Sequence, residues 1–133
     1  MTRQSLGKDQ SGTHDIWAYS FTPKNPKREI VVSSSLHGNE VTLTISMIRL
    51  LHYLVNESDK YPLLAQLREE VTIHYIPFAN PWGASQKPRT RYNSRGVDLN
   101  RNFSHGWDNF ASGTPYGHDY KGCLLYTSPS PRD

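Results

Sequence analysis

The sequence has almost no cysteine, no long hydrophobic run and no strong excess of either charge. One cysteine among 133 residues cannot form an internal disulfide, which excludes a cystine-stapled secreted scaffold. No segment approaches the ~20 apolar residues of a membrane span, so we expect a soluble chain with no membrane partner. Residues 1–17 are polar and lack the apolar core of a secretory signal, which favours a cytoplasmic location by default. The length allows one domain at most.

The last residues of the chain, CLLYTSPSPRD at 123–133, are unlike the end of a packed domain. They include two closely spaced prolines and have no amphipathic period. The string resembles the translation of a transposase-type sequencing adapter, with a natural disordered tail as the alternative. We therefore expect the native domain to span residues 1–122 and residues 123–133 to be a non-native tail.

The middle of the chain has the pattern of an α/β domain. Apolar residues recur at helical spacing from Val41 through Ile45 and Ile48 to Leu51 and Val55, which predicts a helix whose broad apolar face packs on a sheet. The segments on either side predict strands at 15–21, 29–33 and 71–78 and a second helix at 61–70. The first two strands flank a short loop with two prolines, which suggests a hairpin. The strand–helix–strand order predicts a right-handed parallel crossover. We expect a mixed, mostly parallel sheet flanked by helices.

The first chemically informative motif is His37-Gly38-Asn39-Glu40, which follows a predicted strand and opens the long helix. Neutral imidazole and carboxylate are both good zinc ligands, and at this spacing their tips can converge on one point. The end of a parallel strand is also where α/β sheets place ligands. A His-x-x-Glu pair alone is weak evidence, because it arises often by chance.

The second motif lies in a cluster of basic residues. Residues 87–101 contain one acid, Asp98, and five cations: Lys87, Arg89, Arg91, Arg95 and Arg101. A nucleic-acid patch is one reading of such a cluster. We expect no nucleic-acid partner, however, because the segment lacks a basic helix face or a known binding motif.

Together these segments resemble the zinc carboxypeptidase family, the carboxypeptidase A/B type of metallopeptidase. SSLHGNE at 34–40 is similar to the first metal motif of that family, and NPWG at 80–83 followed by RYNSRGVDLNRNF at 91–103 is similar to its substrate-binding segment. Tyr120-Lys121-Gly122 is similar to the Tyr-x-Gly that follows. The order and intervals of the motifs also fit, from about Leu6 to Gly122. The resemblance covers less than half of the family's catalytic domain.

The resemblance implies a role for each matching residue. His37 and Glu40 would be the first two ligands of a Zn²⁺ ion, and Arg91 would polarise the scissile carbonyl as a catalytic residue. Asn100 and Arg101 would bind the C-terminal carboxylate of the substrate, which would be a peptide or a cell-wall peptide. A forked guanidinium suits both arginine roles, because it binds a carboxylate or an oxyanion through two N–H groups.

Two neighbouring residues, Arg89 and Asp98, have alternative roles. Arg89 is the alternative to Arg91, and spacing from Gly96 favours Arg91. Asp98 is expected to hold the loop geometry or to pair with a neighbouring arginine.

Other parts of the family's site have no match in this sequence. The third zinc ligand and the general-base glutamate would come further along, and His105 and His118 lie too near the substrate motifs to replace that ligand. His52 and His74 are expected to be structural. A catalytic zinc uses three protein ligands, so we expect the chain as given to be inactive. We also expect low solubility, because a partial sheet exposes the apolar helix face and unpaired strand edges.

Two other functions remain open. A succinylglutamate desuccinylase or aspartoacylase-type zinc deacylase shares the His-x-x-Glu pair and an Asp-Leu-Asn-Arg core. A non-catalytic module could use Arg91, Asn100 and Arg101 to capture a carboxylate. GVDLNRNF favours the peptidase over the deacylase, and the presence of metal ligands argues against a simple binding module.

Overall fold

The computed structural model describes residues 1–103, in which four strands form one mixed sheet flanked by helices. The strands are β1 (Thr2–Lys8), β2 (Asp15–Phe21), β3 (Arg28–Ser33) and β4 (Val71–Ile76). The helices are α1 (Thr42–Asn56), α2 (Pro62–Glu70) and the short α3 (Pro81–Ser85). Two 3₁₀ turns, Ser58–Lys60 and Leu99–Arg101, complete the described elements. The predicted tail at 123–133 and the Tyr120-Lys121-Gly122 motif lie outside the described residues.

The sheet has the order β1-β2-β4-β3. The β3–β4 pair is parallel and is joined by α1 and α2, which confirms the predicted crossover. The predicted hairpin between the second and third strands is wrong, because β4 lies between them and pairs antiparallel with β2. The partner of β2 in a hairpin is instead β1. Within residues 1–103 the mixed sheet therefore contains one parallel and two antiparallel pairings, rather than mostly parallel ones.

The edge strand β1 was not expected from the sequence. All seven of its residues are exposed, so it has no buried apolar face to produce an alternating pattern. It is held by backbone pairing to β2 and by side-chain contacts such as Lys8 Nζ to Asp15 Oδ2 at 2.9 Å. The central strand β4 is the opposite case, since most of its residues are buried.

Helix α1 forms as predicted, but its buried stripe is rotated from the expected one. Thr44, Leu51 and Leu54 are buried, whereas Ile45 and Ile48 are half exposed. The wide apolar face of α1 therefore contacts the sheet along only one edge. None of the helices within residues 1–103 combines the length and apolar character needed to cross a lipid bilayer.

The core lies between the sheet and the two long helices. Phe21 of β2 is the cross-strand neighbour of Ile73, and Val32 of β3 is that of Tyr75, so three strands contribute to the core. The buried core residues are Leu51, Leu54, Val71, Ile73 and Tyr75, with Phe21, Val32, Met47, Leu64 and Leu67 packed against them. This core fixes the C-terminal ends of β3 and β4 side by side, and the segments that follow both strands meet there.

Candidate metal and substrate site

The loop between β3 and α1 carries the His-x-x-Glu motif. His37 is 6% exposed, and the backbone N–H of Glu40 donates to the His37 carbonyl at 3.1 Å in a tight turn. This turn places His37 Nδ1 2.9 Å from Glu40 Oε1. Zn–N and Zn–O bonds are about 2.0–2.2 Å long, so two atoms at this separation can bind one ion. The Glu40 side chain remains 61% exposed, which leaves this side of the pair open.

Asp98 joins this motif to the second one. Its side chain has no exposed surface, and its Oδ1 accepts a hydrogen bond from His37 Nε2 at 3.0 Å. Its Oδ2 accepts from Arg91 Nε at 2.7 Å. One carboxylate therefore fixes both the imidazole and the guanidinium. A carboxylate on the far nitrogen of a histidine is the usual way to orient a metal-binding ring, since it leaves Nδ1 to face the metal.

The structure separates the two candidate arginines. Arg91 contacts Asp98, and its Nη1 lies 3.8 Å from Glu40 Oε1. Arg89 instead donates from Nε to the Ala84 carbonyl at 3.3 Å. Arg91 is thus the arginine that lies beside His37 and Glu40. The two alternatives expected for Asp98 are both confirmed, because it pairs with Arg91 and also accepts from the backbone N–H of Asn100 at 2.9 Å.

Two buried asparagines hold the segment that contains Arg91. Asn93 Oδ1 accepts from the backbone N–H groups of Arg95 and Val97 at 2.9 and 3.0 Å, which closes the loop that leads to Asp98. Asn80 caps α3 by accepting from Gly83 N, and its Nδ2 donates to the Tyr92 carbonyl at 2.9 Å. The arginine-bearing loop is therefore fixed through its backbone.

Gly38 and Gly83 let the two halves of the site approach each other. A Cβ on Gly38 would lie 2.2 Å from the carbonyl carbon of Gly83. A Cβ on Gly83 would lie 2.7 Å from both the Asn80 amide nitrogen and the Tyr92 carbonyl oxygen. Neither position has room for a side chain, so both glycines are required by close backbone contact.

The 3₁₀ turn Leu99–Arg101 presents the expected carboxylate-binding pair. Asp98 accepts from Asn100 N with its side chain and from Arg101 N with its carbonyl at 3.1 Å. The Asn102 amide donates to the same Asp98 carbonyl at 2.7 Å. Asn100 and Arg101 lie two and three residues after Asp98, and Asn100 is exposed.

The described residues bring together two side chains of the types that bind zinc, His37 and Glu40. Within residues 1–103, no group of three or more His, Cys, Asp and Glu side chains is arranged to hold a metal ion. The Asp98 carboxylate instead accepts hydrogen bonds from His37, Arg91 and the Asn100 N–H. The donor set of His37 and Glu40 fits zinc in type and spacing, and it provides two of the three protein ligands that a catalytic zinc uses.

The remaining histidines in the described part of the chain have structural contacts. His74 bonds to Ser20 and Glu29 across the sheet, and His52 contacts Asn56 one turn along α1. His14 contacts Thr13 and Asp9 in the turn between β1 and β2. His105 and His118 lie outside the described residues.

A buried hydroxyl network behind the metal motif was missed by sequence reasoning. Ser34 Oγ lies 2.8 Å from both Thr44 Oγ1 and Tyr75 Oη, and Ser35 Oγ lies 2.8 Å from Thr44 Oγ1. Thr44 Oγ1 also donates to the Pro77 carbonyl at 2.8 Å. The signal in the sequence was the pair of serines two and three residues before His37, together with a threonine within the apolar face of the helix. Hydrophobic periodicity does not identify such residues, because it is based on apolar side chains alone.

Comparison with known proteins places these features in a family. The family model described as zinc carboxypeptidase matches residues 2–125. Mouse (Mus musculus) carboxypeptidase M is 32% identical over 117 residues, which is 79% of this chain and 26% of that protein. The human (Homo sapiens) carboxypeptidase N catalytic chain is 32% identical over 117 residues, covering 74% of this chain and 25% of its own length. The chain thus spans about a quarter of these relatives.

Solved structures agree with this result. Carboxypeptidase A from Helicoverpa armigera has a TM-score of 0.66 and 26% identity, with 91% of this chain and 33% of that chain covered. The metallo-carboxypeptidase from Burkholderia cenocepacia has a TM-score of 0.64 and 27% identity, with 76% and 27% covered. The described fold is therefore the corresponding part of a larger catalytic domain in both proteins.

Proposed function

The chain belongs to the zinc carboxypeptidase family, and from this premise we propose that its full-length protein is a zinc metallocarboxypeptidase. The reaction is hydrolysis of the peptide bond next to a free C-terminal carboxylate. Water adds across this bond, which releases the terminal amino acid and leaves a new carboxylate on the shortened peptide. The single observation that carries the proposal is the Asp98 bridge, since one buried carboxylate joins His37 to Arg91 and so unites the two motifs.

In this proposal His37 and Glu40 hold zinc from the loop after β3. Asp98 would keep the His37 ring in the tautomer that carries its proton on Nε2, which would leave Nδ1, beside Glu40, as the nitrogen that binds zinc. When bound, zinc polarises a carbonyl oxygen and lowers the pKa of a bound water towards about 7. A third ligand and a general base are needed as well, and the full-length protein is proposed to supply both.

Arg91 is proposed to stabilise the negative charge that develops on the scissile carbonyl oxygen. Its Nε is held by Asp98, and a guanidinium fixed at one nitrogen keeps its terminal N–H groups in a defined direction. The Arg91 side chain is 20% exposed, so it can contact a substrate beside Glu40. Preorganised donors of this kind contribute about 2.7–4 kcal/mol in other enzymes.

Asn100 and Arg101 are proposed to bind the terminal carboxylate of the substrate. Both belong to the 3₁₀ turn that Asp98 caps, so the same carboxylate that orients His37 and Arg91 also sets the start of this turn. A planar guanidinium and an amide together offer N–H donors that match the two oxygens of a carboxylate. This arrangement would restrict cleavage to the chain end.

The test uses the full-length protein and matched pairs of blocked dipeptides with a free or an amidated C-terminus. We expect turnover of the free acids only, loss of activity with a zinc chelator, and recovery when Zn²⁺ is added back. Peptides that end in a D-amino acid would identify a cell-wall substrate. The 133-residue chain alone is the control and is expected to be inactive.

Three other outcomes would contradict the proposal in different ways. Turnover of N-acyl amino acids without peptide cleavage would identify a zinc deacylase. Metal-independent binding of carboxylates without turnover would identify a binding module. Equal cleavage of amidated and free peptides would show that Asn100 and Arg101 do not select the terminal carboxylate.

A further inference from the structure

Ser35 has an unusual backbone conformation for its residue type. Its φ is +49°, and among residues 1–103 it is the one non-glycine residue with a positive φ. The left-handed region is unfavourable for a residue with a Cβ, so tertiary contacts must hold Ser35 there. Ser35 lies two residues before His37, in the loop that carries the metal motif.

The Ser35 hydroxyl contacts the far end of the same loop. Its Oγ donates to the Glu40 carbonyl at 3.2 Å and lies 2.8 Å from Thr44 Oγ1 in the first turn of α1. The residue is 4% exposed, so water does not replace these contacts. The hydroxyl therefore draws the two ends of the 35–40 loop together and fixes the turn that faces His37 towards Glu40.

The Ser35 backbone contacts the other half of the site. Its carbonyl accepts from the backbone N–H of Asn80 at 3.0 Å. The Asn80 side chain in turn donates to the carbonyls of Arg91 and Tyr92 at 3.3 and 2.9 Å. A short chain of bonds thus runs from Ser35 through Asn80 to the segment that carries Arg91.

We propose that Ser35 is a positioning residue, which sets the spacing between the His37–Glu40 pair and Arg91. This inference rests on the proposed function, because it concerns the same zinc site. The hydroxyl acts within the metal-binding loop, and the left-handed backbone directs the carbonyl towards Asn80. Alanine would retain the strained backbone but lose the hydroxyl. Glycine would relieve the strain and lose the hydroxyl as well.

Ser34 provides a matched control. It is 3% exposed and belongs to the same hydroxyl network, with contacts to Thr44, Tyr75 and the Pro77 carbonyl. These partners of its hydroxyl do not include Glu40 or Asn80, and they connect the end of β3 to β4 and to α1 instead. Ser34→Ala and Ser35→Ala thus remove the same buried group from the same network, and only the second touches the metal-binding loop.

The experiment compares Ser35→Ala, Ser35→Gly and Ser34→Ala in the full-length protein. The rate of zinc release to a chelator, the melting temperature and kcat with KM for a free-acid dipeptide are measured for each. We expect Ser34→Ala and Ser35→Ala to lower the melting temperature by similar amounts. Both Ser35 variants should release zinc about tenfold faster and lose about tenfold in kcat, as is typical when support of a metal ligand is removed. Ser34→Ala should change both rates less than about twofold.

Each contrary outcome has a defined meaning. If Ser34→Ala and Ser35→Ala change zinc release and kcat equally, Ser35 is only a structural residue and the inference is wrong. Unchanged zinc release in both Ser35 variants, with active wild-type protein, also contradicts it. If the wild-type protein neither binds zinc nor cleaves peptides, the proposed function fails and the inference fails with it.

Discussion

Polar side chains are buried where β3 and β4 end, whereas apolar side chains are exposed along α1. Asn93 and Asp98 are 2% and 0% exposed, and every oxygen of the Asp98 side chain accepts at least one hydrogen bond. Ile45 and Ile48 are 50% and 53% exposed, although they belong to the apolar face of a regular helix. Ile45 and Ile48 lie in the first two turns of α1, the helix that follows the His37–Glu40 loop.

This difference in burial shows that the site and the face of α1 are organised in different ways. At the site, the segments that follow β3 and β4 are held together mainly by hydrogen bonds. The acceptors of these bonds are backbone carbonyls and the buried Asp98 carboxylate. The face of α1 borders an apolar groove of about 760 Å³ between the helix and the sheet, lined by residues such as Trp17, Tyr19 and Val55. Changes in the first region should therefore affect chemistry, and changes in the second should affect association.

The largest effect is expected from Asp98→Asn in the full-length protein. The change removes the charge that orients His37 and pairs with Arg91, so kcat should fall about 10–100-fold. Loss of one partner of a buried ion pair should also cost about 3–5 kcal/mol of the free energy of unfolding. Steady-state kinetics and urea unfolding measure the two losses.

The exposed Asp59 is the control for loss of one negative charge. Asp59→Asn should leave kcat unchanged and alter stability by less than about 0.5 kcal/mol. If Asp98→Asn behaves like Asp59→Asn, the bridge between the two motifs has no functional role.

Gly38→Ala should have the next largest effect. The new Cβ would lie 2.2 Å from the Gly83 backbone, so the two halves of the site must move apart. We expect a loss of about 3 kcal/mol in the free energy of unfolding, at the upper end of the usual cost of overpacking, together with weaker zinc retention. Gly12→Ala is the control, because its Cβ would meet open space and its positive φ of 72° adds only backbone strain of about 1–2 kcal/mol. Equal losses of unfolding free energy in Gly38→Ala and Gly12→Ala would contradict the close contact between Gly38 and the Gly83 backbone.

The motifs at the site were identified from the sequence because several of them occur together in the order and at the intervals of a known family, whereas the His-x-x-Glu pair alone is weak evidence. The placement of His37 beside Glu40 and of Arg91 beside Asp98 follows from two short segments, each with its own local turn. The burial of Ser35 and its contacts could not be predicted from the sequence. This burial depends on contacts with Asn80, 45 positions further along the chain, and local sequence pattern has no information on such a contact.

The sheet shows the same limit. The strand–helix–strand order determined the parallel β3–β4 pair, since the connection is local and has one favoured hand. The predicted position of β2 beside β3 was wrong. The sequence indicates which segments are strands, but it does not indicate that β4 lies between β2 and β3 in the sheet. For α1 the period was right and the buried side was shifted, because Thr44 turns inwards to join the hydroxyl network.

A smaller effect is expected from the apolar face of α1. In the 133-residue chain, the groove between α1 and the sheet should bind a hydrophobic dye and favour self-association. Ile48→Lys should reduce both, with a change in the free energy of unfolding below about 1 kcal/mol because the side chain is already half exposed. Leu54→Ala is the contrast, since Leu54 is 1% exposed and its loss should cost about 2–5 kcal/mol. Dye fluorescence and size-exclusion chromatography measure association. A monomer that melts in one sharp transition and binds no dye would contradict the expectation.

The smallest effect concerns Glu70 at the end of α2, remote from both regions. Its Oε1 accepts from Lys27 Nζ at 2.6 Å, and this bond, with a smaller one from Gln66, holds the pKa of Glu70 below its usual value of 4.5. A folded-state pKa below the unfolded one means that the pair stabilises the fold above the unfolded pKa and loses this contribution as pH falls through the folded pKa. Glu70→Gln should therefore be slightly less stable than wild type at pH 7, and the two should be equal at an acidic pH at which Glu70 is protonated in both the folded and the unfolded state. The gap at pH 7 should narrow in high salt, because both side chains are solvent-exposed. Unfolding midpoints measured at both pH values test this, and a gap that persists at low pH would show that Glu70 acts through something other than its charge.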